Sequence, residues 1–64
     1  MVVYAYQRTK LYYTGKEEVL IDFSTNLEEL LEMHREEKIR WQYSDFSFLQ
    51  GNLSQLMEIK VRDR

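Results

Sequence analysis

A chain of 64 residues has room for a single domain, here residues 1–64, and a core this small is marginal unless something assists it. With no cysteine and one histidine it can form neither a disulfide nor a thiolate metal site, and a zinc site would have to rest on carboxylates. A net charge of −2 does not by itself point to a nucleic-acid or membrane partner, and a hydrophobic content of 44% argues against disorder.

The first segment, residues 2–13, is rich in β-branched and aromatic side chains and predicts a long strand. Tyr13-Thr14-Gly15 suits a three-residue hairpin loop, with Gly15 in the left-handed position, and the return strand runs over residues 16–23. Pairing Tyr12 with Lys16 sets Lys10 opposite Glu18, a favourable cross-strand pair. One face of this hairpin then carries Val3, Ala5, Leu11, Val19, Ile21 and Phe23, which read as core. The other carries Tyr4, Tyr6, Arg8, Lys10, Tyr12, Glu18, Leu20 and Asp22, which read as an outer face.

Thr25 with Glu28 three residues later fits a capping box at a helix start. Leu27, Leu30, Leu31 and His34 follow the i, i+3, i+4, i+7 spacing of one helical face, with Met33 at its edge. Glu28, Glu29, Glu32 and Glu36 fall on the opposite side, and the helix is expected to fade near Glu37-Lys38. Ile39, Trp41 and Tyr43 alternate with Arg40 and Gln42, so a third strand is expected from there. Phe46 and Phe48 fall out of phase with them, and a bulge at Ser44-Asp45 restores the alternation. Gly51-Asn52 reads as a two-residue turn, which pairs Phe46 with Met57, Tyr43 with Ile59 and Trp41 with Val61; an irregular loop over residues 44–52 is the alternative. The expected fold class is α+β, two β-hairpins flanking one helix (ββαββ), with an antiparallel sheet and the helix packed on one face.

Little in this chain suggests catalysis. The only imidazole, His34, lies on the apolar stripe of the helix and reads as a core histidine, which leaves the serine and threonine hydroxyls without a base. Asp22, Asp45 and Glu58 could converge for acid–base work or a hard cation, but Asp22 leads into the helix and Asp45 sits at the proposed bulge. The two glycines are too far apart for a phosphate loop. The expectation is a non-enzyme with no catalytic residues, no metal and no cofactor.

What remains is binding. One Trp, five Tyr and three Phe are many for this length, and a homodimer is an open option. The Tyr/Arg-rich face, Tyr4, Tyr6, Arg8, Lys10 and Tyr12, is the expected partner-binding surface, with Arg40, Gln42, Glu58, Lys60 and Arg62 on the same side. Glu28, Glu29, Glu32 and Glu36 form a secondary acidic face, either simply solvated or matched to a basic partner. The expected function is a small interaction module, an adaptor, regulator or inhibitor of a larger protein. The alternative is a single-stranded nucleic-acid binder that stacks bases on the same tyrosines and uses Arg8, Lys10, Lys60 and Arg62 for phosphates. No apolar run approaches the roughly 20 residues of a membrane span, and residues 1–8 lack the features of a secretion signal, so the expected setting is cytoplasmic.

The window Ser44-Asp45-Phe46, continuing through Leu49 to Gly51-Asn52, resembles over nine residues a stretch in the small bacteriophage inhibitors of uracil-DNA glycosylase. There the stretch looks helical and follows the first hairpin directly, whereas here a helix and a strand intervene. The resemblance implies one version of the binding reading, a small phage- or mobile-element-like inhibitor of a larger enzyme.

Overall fold

A computed structural model describes residues 2–52 and 54–61. Strands β1 (Val3–Leu11) and β2 (Glu17–Ser24) are followed by helix α1 (Leu27–Arg40) and strands β3 (Tyr43–Asn52) and β4 (Gln55–Ile59). The strands form one antiparallel sheet in the order β2-β1-β3-β4, and the helix packs across one face of it, as the ββαββ reading expects.

The first hairpin forms in the register that its side chains suggest. Lys10 lies opposite Glu18, and the Tyr12 amide donates to the Lys16 carbonyl at 2.9 Å. Gly15 closes the loop at φ 91°, a conformation that costs a residue with a Cβ about 1–2 kcal/mol.

The helix is capped one residue later than the Thr25 capping box predicts. Asn26 is the N-cap; its side-chain oxygen accepts the Glu28 amide at 3.1 Å, while its own amide donates to Ser24 Oγ at 3.0 Å. The helix also outlasts the expected stop at Glu37-Lys38. The Trp41 amide still reaches the Glu37 carbonyl at 2.8 Å, so Ile39 and Arg40 belong to the last helical turn and not to a strand.

The bulge expected at Ser44-Asp45 is present. Thr9 pairs with Asp45 and Lys10 with Tyr43, which leaves Ser44 as the extra residue. The second hairpin turns later than Gly51-Asn52. Both residues lie in β3, Asn52 pairs with Gln55, and Phe48 and Gln50 face Ile59 and Met57. The Asn52 side-chain oxygen accepts the amides of Ser54 and Gln55, each at 3.0 Å, and so builds the turn that glycine was expected to supply. Gly51 serves a different purpose. A Cβ there would overlap the Gln55 carbonyl oxygen and come within 3.3 Å of Leu56 Cα. The window resembling the glycosylase inhibitors is extended, within β3.

The core lies between α1 and the sheet. Tyr6, Leu30 and Phe48 are buried at its centre, with Tyr4, Leu27, Leu31, Met33, Ile59 and Val61 packed around them. Tyr6 and Phe48 stack with ring centroids 4.9 Å apart. The leucine stripe of the helix faces inward as its spacing predicts, and Glu28, Glu29, Glu32 and Glu36 are exposed.

The facing of the first hairpin is the reverse of the expected one. The helix covers the tyrosine face, and the aliphatic face of Val19, Ile21 and Phe23 is open. The physical reason lies in β3. Pairing β1 with β3 sets Phe48 beside Tyr6 and Phe46 beside Arg8, and pairing with β4 adds Ile59 to the same side. The opposite side receives Asp45, Ser47 and Glu58 as well as Leu49 and Leu56. Summed over four strands, the larger buriable area is on the tyrosine side.

Candidate interaction surface

The residues expected to meet a partner divide between burial and internal contacts. Tyr6 is fully buried, and its hydroxyl lies 2.9 Å from Nδ1 of His34, whose ring packs 4.3 Å from that of Phe46. His34 is therefore the core histidine that its place on the helical stripe predicts. Arg8 is 4% exposed, and its guanidinium forks between two carboxylates. Nη1 donates to Asp22 Oδ2 at 2.6 Å and Nη2 to Glu37 Oε1 at 3.1 Å. The second oxygen of Glu37 accepts the Tyr43 hydroxyl at 2.6 Å. This chain of contacts ties β1, β2, α1 and β3 together at one point. Lys10 lies with Nζ 3.1 Å from the centroid of the Trp41 ring and 4.8 Å from that of Tyr12. Tyr4 packs at the edge of the core.

The electrostatics of this layer follow from burial. Desolvation and the charge of Glu37 raise the Tyr6 phenol above its ordinary range. Burial and the hydrogen bond to Glu37 push Tyr43 up to about 12. Burial alone would lower Arg8, but the bond to Asp22 and the charge of Glu37 outweigh it and leave its pKa raised. The network escaped the sequence reading because Glu37 reaches Arg8 only once α1 has crossed the sheet. Half of it was legible, since the hairpin register alone brings Arg8 and Asp22 onto one face, one pair apart.

The other residues placed beside the tyrosines also separate. Arg40 is in the helix, Gln42 lies between helix and β3, and Glu58 is on the opposite sheet face, paired with Leu49. Lys60 follows β4, and Arg62 lies outside the described residues. Nor do the three acids converge: Asp22 sits on the helix face with Arg8, whereas Asp45 and Glu58 are on the open face. Among the described residues no cluster of His, Asp and Glu is placed to hold a metal ion. Among them, too, no helix is long and apolar enough to cross a membrane.

The surface that does stand open is the far side of the first hairpin. Val19, Ile21 and Phe23 are 61%, 45% and 51% exposed, and they alternate along β2, an edge strand. Leu49, half-buried, borders the patch on the inner side, across the fully buried Ala5 that pairs with both Phe23 and Leu49. The backbone adds to it. The Tyr12 amide bonds the Lys16 carbonyl, so alternate residues of β2 from Lys16 onward bond to β1. Val19, Ile21 and Phe23 then turn their own N–H and C=O groups away from the sheet, along its free edge. Apolar side chains and unpaired backbone groups thus share three residues. The alternating run Val19-Leu20-Ile21-Asp22-Phe23 was the signal for this surface, and it was legible as a stripe of unknown facing.

No protein-family model, no curated protein and no solved structure matches this chain.

Proposed function

We propose that this protein is a non-catalytic interaction module, an adaptor, regulator or inhibitor that docks on a larger protein through the open face of its first hairpin. The observation that carries the proposal is the row Val19, Ile21 and Phe23, half-exposed on an unpaired edge strand. Full burial of such a side chain is worth about 1.5–3 kcal/mol, and because these three are already about half buried, docking adds roughly half of that for each. Three of them in a row can form the apolar centre that a stable interface needs. Tyr6 and Arg8, with Tyr4 beside them, then act from inside, holding the helix and the sheet in one arrangement, while Lys10 and Tyr12 stay half-buried at the margin. Glu28, Glu29, Glu32 and Glu36 remain a solvated secondary face available to a basic partner.

The test is capture from the native host with three forms of the protein: wild type, Ile21→Thr with Phe23→Thr, and Glu32→Gln with Glu36→Gln. Threonine keeps the strand propensity and removes the apolar area. A partner held by wild type should be lost by the β2 variant, with affinity down more than about tenfold, and kept by the helix variant. Equal retention by all three would sink the assignment.

A homodimer through the same strand is the second reading, favoured by the way β2 matches itself. Antiparallel pairing centred on Ile21 sets Val19 against Phe23 and Glu18 against Ser24 of the copy, with no carboxylate facing another. Sedimentation of wild type against the β2 variant separates the two readings. Single-stranded nucleic-acid binding on the tyrosine face has lost its support, because Tyr6 and Arg8 lie beneath the helix.

A further inference from the structure

At the C-terminal end of α1, away from the open hairpin face, the helix and the start of β3 border a wide-open cleft of about 590 Å³. That is within the range of small-ligand sites, roughly 300–1,000 Å³. Its walls include Trp41 and Phe46, both about half exposed, with the imidazole of His34 behind Phe46. Ile39 also lines it, and Arg40 supplies positive charge from the last helical turn. The described residues that line the cleft include no carboxylate, although the chain as a whole is negative.

Three features narrow what could lie there. The aromatic walls suit a flat ring only on the sides that Lys10 leaves open at Trp41 and His34 leaves open at Phe46, where stacking contributes about 1–3 kcal/mol per base. Cations are disfavoured, since Lys10 already lies over the Trp41 ring and Arg40 lines the cleft. A bare inorganic anion is disfavoured for a different reason. The helix C-terminus carries partial negative charge, which the last-turn cations must first offset. The ring must therefore supply affinity, and the anionic group adds to it.

We propose that this cleft binds a planar aromatic anion of the nucleotide class, with its ring against Trp41 and Phe46 and its phosphate on Arg40. Nucleotides join a flat heterocycle to a phosphate, and their source is either the free pool or a single strand. The site goes beyond the docking face and shares no residue with it.

Trp41 is the only tryptophan, so its emission reports on this cleft alone. Uridine monophosphate should change that emission saturably, with uridine and inorganic phosphate each at least about tenfold weaker. Arg40→Gln, at an exposed position, should weaken the nucleotide about three- to tenfold and leave uridine unchanged. Shifts of the Trp41 indole N–H in the wild-type protein provide a readout that no substitution can confound. A short oligothymidylate that binds more tightly than the mononucleotide, with steep salt dependence, identifies a strand as the source; equal or weaker binding identifies the free nucleotide. The proposal is overturned by no saturable response to the nucleotide, by phosphate alone binding equally well, or by Arg40→Gln leaving the affinity unchanged.

Discussion

Arg8 is a cation with almost no access to water, held by Asp22 on the neighbouring strand and Glu37 on the helix. Removing one member of a buried ion pair commonly costs 3–5 kcal/mol, because its partner is left charged and desolvated. Here the partners can rehydrate in part, since the side chains of Asp22 and Glu37 keep 46% and 25% of their exposure. Arg8→Ala should therefore cost less, about 2–3 kcal/mol. A domain of this size has about 3–5 kcal/mol in total, so the variant should be largely unfolded at low urea concentrations that leave wild type intact. Urea titration followed by circular dichroism measures this, and a change below about 1 kcal/mol would reduce the network to a surface-type ion pair. At this scale the sequence was partly readable. The 3.6-residue period puts His34 inside without any tertiary knowledge, whereas an arginine flanked by Gln7 and Thr9 on a strand gives no local sign of burial.

Local elements were more legible than their ends. Ser24, Thr25 and Asn26 are three consecutive residues of capping type, so the sequence announces a helix start and leaves the choice of cap to backbone geometry. Asn26 takes the position, with its side chain on the Glu28 amide. Asn26→Ala should lower stability by about 1 kcal/mol, and Thr25→Ala by less than about 0.5 kcal/mol. Thermal melts of the two variants separate these outcomes; the reverse order would restore the Thr25 capping box. The second hairpin carries the same lesson. Gly51-Asn52 looks like a turn because both residues favour one, but Asn52 acts through its side chain and Gly51 through the absence of one, where Gln55 approaches.

Across the whole molecule, the layer between helix and sheet contains phenols whose protons are held more tightly than in an open chain. Tyr43 is raised from the ordinary 10 to about 12, and Tyr6 is raised further. The unfolded chain releases these protons first, so alkali favours unfolding. Stability should be complete below about pH 10 and should decline as the pH rises through 10 towards 12. Tyr43→Phe removes one of the two phenols, so its urea midpoint should fall less between pH 8 and pH 11 than that of wild type, about the same fold. Equal falls would mean that Tyr43 does not contribute to the alkaline loss.

The sequence by itself determined the order of elements, the register of the first hairpin, the bulge at Ser44 and the inward stripe of the helix. Each depends on neighbours in the chain: a period of two or 3.6, a glycine at positive φ, one extra residue in a strand. Only the tertiary structure decided which side of the sheet the helix would cover. Alternation along a strand defines two faces and cannot rank them, because the ranking is a sum over all paired strands. The pairing of β1 with β3, distant in sequence, set Phe46 and Phe48 beside Arg8 and Tyr6 and brought Glu37 within reach of the guanidinium. That pairing turned Tyr6 and Arg8 from the centre of the expected binding face into buried residues, and left Val19, Ile21 and Phe23 on the open side.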